Sequence, residues 1–209
     1  EQAAGVSEGV YLSSSQWGDF DNDGNLDLAI TGKNNSEVPS TKIYRNLGDG
    51  TFTEFVEPVI DVASGSIAIA DYNNDGAADI LVCGENNSGS QTKLYRNAIS
   101  VTNHPPSAPL NLSSTVNGGT VQLVWDKSAD DHTPQDGLSY NIAIGNSPGN
   151  YNIVSPMSDK NTGKRRIAKS GNSRINSFNI KKLPPGTYYW TVQSIDGAYL
   201  GSPFAQEQS

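Results

Sequence analysis

DFDNDGNLD at residues 19–27 recurs 52 residues later as DYNNDGAAD at residues 71–79. Each copy places carboxylate or amide oxygens at alternate positions and a glycine, Gly24 or Gly76, at the turn. Neighbouring carboxylates repel one another unless a cation holds them together, and oxygen ligands around a glycine turn are the arrangement that Ca²⁺ prefers. The two loops therefore predict two calcium sites, and their recurrence predicts an internal structural repeat.

The similarity between the two copies extends into the flanking segments. Short apolar segments lie there between turn residues, which predicts strand, acidic turn, strand, polar loop, strand in each copy. The aligned segments are LDLAITG (26–32) with ADILVCG (78–84) and TKIYRN (41–46) with TKLYRN (92–97). A fourth strand is predicted at residues 52–55 of the first copy. Four short antiparallel strands in about 50 residues are typical of a β-propeller blade.

On these residues the first half resembles the FG-GAP/VCBS repeats, the calcium-loop blades also found in the integrin α-chain propeller and in many large secreted bacterial proteins. The resemblance covers roughly residues 10–99. It implies ten metal ligands: the side chains of Asp19, Asp21, Asp23 and Asp27 with the carbonyl of Asn25, and the side chains of Asp71, Asn73, Asp75 and Asp79 with the carbonyl of Ala77. Because Asn73 removes one charge, we expect the second site to be the weaker.

We expect the bound calcium to be structural rather than catalytic. A catalytic metal needs an open coordination position and a nearby acid or base, but residues 1–103 contain no histidine. The whole chain offers no Ser/His/Asp or Cys/His set and no phosphate-binding glycine loop. His132, next to Asp131 in a polar loop, has no evident nucleophile beside it. We therefore predict that the chain is not an enzyme.

Two blades do not close a propeller, which typically takes four to eight. Residues 9–12 are expected to form the last strand of a preceding blade. The chain is therefore expected to be part of a longer protein, and self-association through exposed blade faces is the alternative.

The second half carries a different pattern. NHPPSA at residues 103–108 predicts a short stiff linker between a first domain at 1–102 and a second at 109–209. Residues 121–125 and 140–145 alternate as in strands with one buried face. Short strands separated by turn residues predict a β-sandwich of about 100 residues.

This half resembles a fibronectin type III domain. The resemblance rests on Pro109-Leu110-Asn111-Leu112, on Trp125, and on LPPGTY at residues 183–188. It implies that the Tyr188 hydroxyl bonds back to the main chain. Trp125, Tyr188 and Trp190 alternate with polar residues and are therefore expected in the core rather than on a carbohydrate-stacking platform. Tyr151, Tyr199 and Phe204 lie among turn residues and are the better candidates for exposed aromatic side chains.

Composition and charge argue against several classes of protein. The formal net charge is −8, and residues 1–103 hold 15 acidic and 5 basic side chains. The one basic cluster, residues 164–166, is expected to be a solvated loop, so no nucleic-acid partner is predicted. No apolar run approaches the roughly 18 residues that span a membrane, so no membrane insertion is predicted. Cys83, the single cysteine, is expected to be a buried structural thiol.

These observations predict an all-β chain: two blades of an incomplete propeller followed by an immunoglobulin-like or fibronectin III sandwich. We expect a non-catalytic, calcium-stabilised scaffold or adhesion region of a secreted or cell-surface protein, of bacterial origin. Its expected partner is a protein or carbohydrate ligand at the cell surface. The alternatives are a lectin-like module and an accessory region of a larger secreted enzyme.

Overall fold

The computed structural model describes residues 5–55, 58–73 and 75–209, and over these residues the chain is all-β, as predicted. The chain divides into two compact units, Glu1–Asn103 and His104–Ser209. In this part of the chain no helix is present that could span a membrane. The strands are β1 Tyr11–Gly18, β2 Asp27–Lys33, β3 Pro39–Asn46, β4 Phe52–Phe55, β5 Ala63–Ala70, β6 Asp79–Asn86, β7 Gly89–Tyr95, β8 Ser113–Asn117, β9 Thr120–Val124, β10 Ser139–Gly145, β11 Ser177–Lys181 and β12 Tyr189–Ile195.

The first unit begins with a four-stranded antiparallel sheet in the order β1-β2-β3-β4. The acidic loop at residues 19–26 joins β1 to β2, and Gly18 pairs with Asp27 at its base. The predicted fourth strand is confirmed as β4. The expectation that residues 9–12 end a preceding blade is wrong for Tyr11 and Leu12, which belong to β1. Tyr11 pairs with Lys33 of β2, and a bulge separates this pair from the rest of the ladder.

A second sheet, β5-β6-β7, repeats the first three strands. Ala70 pairs with Asp79 at the base of the second loop, as Gly18 pairs with Asp27. Even the bulge recurs at the equivalent place, and Leu12 and Ser64, 52 residues apart, both adopt a positive φ there. The internal repeat predicted from the two loops is thus also present in the backbone. No fourth strand follows β7 among the residues that the structure describes.

The two sheets of the first unit share one apolar core. Ala29 and Ile43 from the first sheet pack with side chains of the second, and burial of these groups is the main stabilising contribution. Their partners in the core include Ile67, Ile69, Ile80 and Val82. Thr31 adds a polar tie, because its hydroxyl donates to the carbonyl of Val62 at 2.6 Å.

The second unit contains a three-stranded sheet, β8-β9-β11, and a two-stranded sheet, β10-β12. Leu123 and Trp125 pack with Ile142, Trp190 and residues around them in one core that both sheets line. Trp125 and Trp190 are buried, which confirms the core interpretation for these two, and Tyr188 is half-buried and packs against the same core. Backbone hydrogen bonds extend the second sheet beyond β12: Ala205 N donates to Val192 O at 2.9 Å.

The bond predicted for Tyr188 is confirmed. Its hydroxyl donates to the carbonyl of Pro184 at 2.7 Å and closes the turn that leads into β12. This bond fixes the entry of the chain into a core strand.

Strand β10 departs from the predicted alternation, because all seven of its residues are buried. Residues from the polar stretch between β10 and β11 cover the second face. Asn141, on that face, donates to Ser158 Oγ at 3.2 Å and to Gln193 Oε1 at 3.0 Å. Polar side chains can be buried at this face because they satisfy one another's hydrogen bonds.

Candidate metal centre

The first acidic loop is held in shape by its own carboxylates. Asp19 accepts the backbone N–H groups of Asp23 at 3.1 Å and of Gly24 at 2.9 Å. Gly24 has a positive φ of 88°, a conformation that costs glycine little, and so permits the tight turn. Asn25 N in turn donates to Asp23 Oδ1 at 2.8 Å.

Asp27 closes the loop from the other side. One of its oxygens accepts the N–H of Phe20 and the other that of Asn46, both at 2.8 Å. The side chain therefore connects the start of the loop, the start of β2 and the end of β3. Only 1% of Asp27 is exposed.

Three of the predicted ligands converge. Asp19, Asp21 and Asp27 each place one carboxylate oxygen within 4.8 Å of the other two. Asp19 is as inaccessible as Asp27, with 2% of its surface exposed. Within the described residues this is the one such group of three acidic, histidine or cysteine side chains.

The environment of this cluster disfavours negative charge. Burial raises the pKa of Asp19 to about 6 and that of Asp27 to about 7, although backbone N–H bonds to both groups oppose the shift. Nearby carboxylates raise both values further; burial and the charge of Asp23 also raise the pKa of Asp21. A divalent cation would relieve both the repulsion and the lost hydration.

Arg45 supplies positive charge that faces this loop, and it was not among the predicted site residues. Its Nη2 lies 3.2 Å from Asp23 Oδ2, and its Nε contacts Asp21 Oδ2. Asp23 thus bonds Arg45 and Asn25 N and is absent from the converging group of three. The signal available in the sequence was the recurrence of Tyr-Arg-Asn at residues 44–46 and 95–97.

The second loop reproduces this hydrogen-bond pattern. Asp71 accepts the N–H groups of Asp75 and Gly76, each at 3.0 Å. Asp79 accepts those of Tyr72 at 3.1 Å and Asn97 at 2.7 Å. The Ala77 N–H donates to Asp75 Oδ1 at 3.2 Å, as Asn25 does to Asp23.

The charge arrangement of the second loop differs. Asn73 takes the place of Asp21, and its amide donates to Asp75 Oδ2 at 2.8 Å. Arg96 donates to the same oxygen, at 2.9 Å from Nη2. Asn73 and Asp75 are exposed, whereas burial raises the pKa of Asp79. The second loop is therefore the more open and the less acidic of the two.

The donor set of the first loop fits a metal ion. All of the converging atoms are carboxylate oxygens, which suit hard cations, and two of the three groups are excluded from water. Asp19, Asp21 and Asp27 would hold the ion by their side chains, and it would neutralise charge that Arg45 offsets only in part.

Outside the loops, the structure corrects one prediction and adds a contact that was not predicted. Cys83 is half-buried rather than buried, with its thiol 3.5 Å from Ser66 O. Asp131 contacts both histidines, 2.7 Å from His104 Nδ1 and 2.9 Å from His132 Nδ1. The Asp131–His132 pair is thus bridged to the first residue of the second unit.

The expected exposure of Tyr151, Tyr199 and Phe204 is wrong, because all three are half-buried. Burial raises the pKa of Tyr151 to about 12, and a hydrogen bond with Glu207 adds to the shift. The exposed aromatic side chains among the described residues lie instead in the first unit, at Tyr11, Trp17, Phe55 and Tyr72.

Residues 14–82 match the family model of the FG-GAP-like repeat. The matched segment runs from β1 into β6 and includes both acidic loops. Among curated proteins, no relative of the chain was found. The first unit is thus similar over most of its length to a repeat that occurs in extracellular proteins.

Proposed function

We propose that the first unit is a calcium-stabilised, non-catalytic scaffold within an extracellular adhesion or binding region. The observation that carries this proposal is the convergence of Asp19, Asp21 and Asp27 at a buried turn. The recurrence of the same hydrogen bonds in the second loop supports a second site there. In this proposal calcium pins each turn and so fixes the strands on either side of it.

Calcium is the cation that this donor set suits best. It accepts six to eight oxygen ligands in flexible geometry, whereas Mg²⁺ requires a near-ideal octahedron. Oxygen atoms of Asp23 and Asp75 and the carbonyls of Asn25 and Ala77 would complete the two sets. Calcium sites of extracellular modules have dissociation constants of about 10⁻⁴–10⁻³ M, so they fill outside the cell and stay empty in the cytosol.

The two sheets of the first unit are proposed to be blades of a larger propeller. Ala29 and Ile43 bury their side chains against the second sheet. Their equivalents in the repeat, Leu81 and Leu94, are 38% and 52% exposed. That face is therefore suited to a further sheet, supplied by the remainder of a longer chain or by self-association.

The second unit is proposed to be a fibronectin III-like sandwich that acts as a spacer or adhesion module. The Tyr188–Pro184 bond and the shared core of its two sheets support this assignment. A protein or carbohydrate at the cell surface is the proposed partner of the whole region.

A lectin-like role is the second candidate. Tyr72, which lies within the second acidic loop, is 51% exposed and could stack on a sugar ring beside the cation. Binding to a glycan array in calcium, lost in Tyr72→Ala but kept in Tyr199→Ala, would favour it. An accessory role beside an enzyme is the remaining alternative.

Thermal unfolding of the whole chain in excess calcium and in chelator tests the main proposal. We expect chelator to lower one transition, and Asp19→Ala and Asp71→Ala to reduce the calcium-dependent shift. Glu85→Ala removes an exposed acidic side chain of the same unit and should keep the full shift. Identical transitions with and without calcium would refute the calcium scaffold.

A further inference from the structure

The two acidic loops are bonded to each other. Asn22, between Asp21 and Asp23 of the first loop, donates its side-chain amide to the carbonyl of Gly76 in the second loop at 3.0 Å. The same amide donates to Val101 O at 3.1 Å. Asn22 is almost fully buried and adopts a positive φ of 55°, so its position is closely defined.

A second connection runs in the opposite direction. Asn97 donates its side-chain amide to the carbonyl of Phe20, in the first loop, at 2.7 Å. The backbone N–H of Asn97 donates to Asp79 Oδ1, and that of Phe20 donates to Asp27 Oδ2. Through these bonds Phe20 and Asn97 link the buried carboxylates Asp27 and Asp79.

The first connection also ends on a candidate ligand. The carbonyl of Gly76 accepts the hydrogen bond from Asn22, and the N–H of the same residue donates to Asp71 Oδ2 at 3.0 Å. A shift of Asn22 would therefore displace the segment that orients Asp71. Each loop thus contains a backbone carbonyl, Phe20 O or Gly76 O, that accepts a hydrogen bond from an asparagine side chain of the other repeat.

We propose that the two loops bind their cations as a coupled pair, and that Asn22 and Asn97 are the positioning residues that transmit the coupling. This inference rests on the proposed calcium sites. A cation in the first loop fixes Asp21 and Asp23, which flank Asn22, and fixes Phe20 through Asp27. The second loop then needs less ordering when its own cation binds, and the effect is reciprocal.

The repeat provides a matched control for this role. Asn46, at the end of β3, is the equivalent of Asn97. Its side-chain amide donates to Leu26 O, in the acidic loop of the same repeat, at 3.1 Å. Asn97 makes the corresponding bond to Ala78 O at 3.2 Å and also reaches Phe20. Asn46→Ala therefore removes the bond within the loop, and Asn97→Ala removes the bond between the loops as well.

Calorimetric titration of the metal-free whole chain with calcium tests the proposal. Asp71→Asn weakens the second site but keeps an oxygen that can accept Gly76 N. We expect Asp71→Asn to weaken the first site by about 5-fold or more, the usual lower range of coupling between sites. This fold-change is the dissociation constant of the first site with Asp71→Asn divided by that without it. In the Asn22→Gly and Asn97→Ala backgrounds it should fall towards one, whereas in the Asn46→Ala background it should be retained.

Asn22→Gly tolerates the positive φ, so it removes the amide without backbone strain. If Asn97→Ala does not fold, the effect of Asp71→Asn on the first site, compared between the native and the Asn22→Gly backgrounds, still tests the coupling. If Asp71→Asn leaves the calcium affinity of the first site unchanged, the coupling is wrong and the calcium-stabilised scaffold is unaffected. A native chain that takes up no calcium would overturn both.

Discussion

The carboxylate of Asp27 accepts the backbone N–H of Asn46 at 2.8 Å, so the first residue of β2 is tied to the last residue of β3. Asp79 makes the equivalent bond to Asn97 in the second repeat. One carboxylate in each repeat therefore organises the strand ends through hydrogen bonds of its own, independently of a bound ion.

Asp27→Ala is expected to destabilise the metal-free first unit by about 1–3 kcal/mol. The carboxyl of Asp27, even when protonated, keeps an acceptor for the N–H of Phe20 or of Asn46, and alanine offers none. The measurement is urea unfolding at pH 5, where Asp27, with a pKa of about 7, carries little charge. At that pH the substitution does not relieve a buried negative charge. Asp27→Asn, which keeps an acceptor, should lose less. Equal stability of Asp27→Ala and the native chain would contradict this role.

The metal-free first unit is expected to become less stable as the pH rises from 5 to 8. The folded pKa values of Asp19 (about 6) and Asp27 (about 7) lie above those of an unfolded chain, so the folded state binds more protons. Stability present at low pH is therefore lost as the pH rises through these values, by on the order of 2 kcal/mol.

Thermal unfolding of metal-free protein across that pH range provides the measurement. In excess calcium the trend should flatten or reverse, because protons compete with the cation for the same oxygens. The double variant Asp19→Asn/Asp27→Asn serves as the control and should lose the slope. A metal-free chain whose stability rises with pH over this range would disprove the assignment.

The affinities of the two loops are expected to follow the residue at the third loop position. Asn73→Asp should tighten calcium binding at the second loop several-fold, and Asp21→Asn should weaken it at the first by a similar factor, because ligand charge helps to set affinity. Calorimetry on the single variants and on the combined swap measures both sites. A swap that leaves the order of the two affinities unchanged would show that other features set it.

Tyr188→Phe is expected to destabilise the second unit by about 1 kcal/mol, the usual net value of one hydrogen bond. The hydroxyl that bonds Pro184 O is lost while the ring remains. Tyr189→Phe removes a neighbouring hydroxyl for which the structure gives no such bond and should be nearly neutral. Denaturant unfolding, with and without calcium, should give the same loss, since Tyr188 lies outside the unit that carries the loops.

Local spacing was sufficient to predict much of this molecule. The turn at residues 19–27 and its copy follow from glycine and from carboxylates that cap nearby N–H groups. Alternation placed Trp125 and Trp190 in the core correctly. It failed for Asn141, because alternation assumes one solvated face and here a distant polar stretch covers that face.

The sequence by itself determined the all-β class, the repeat, and the acidic side chains available to a cation, because these depend on residues close together in the chain. Tertiary structure decided which of these acidic side chains converge and which residues from other parts of the chain contact the loops. Asp19, Asp21 and Asp27 meet, whereas Asp23 bonds Arg45, 22 residues away. Asn22 and Gly76 join the two loops across 54 residues. Contacts at that separation depend on how the sheets pack, and no local pattern of residues encodes that packing.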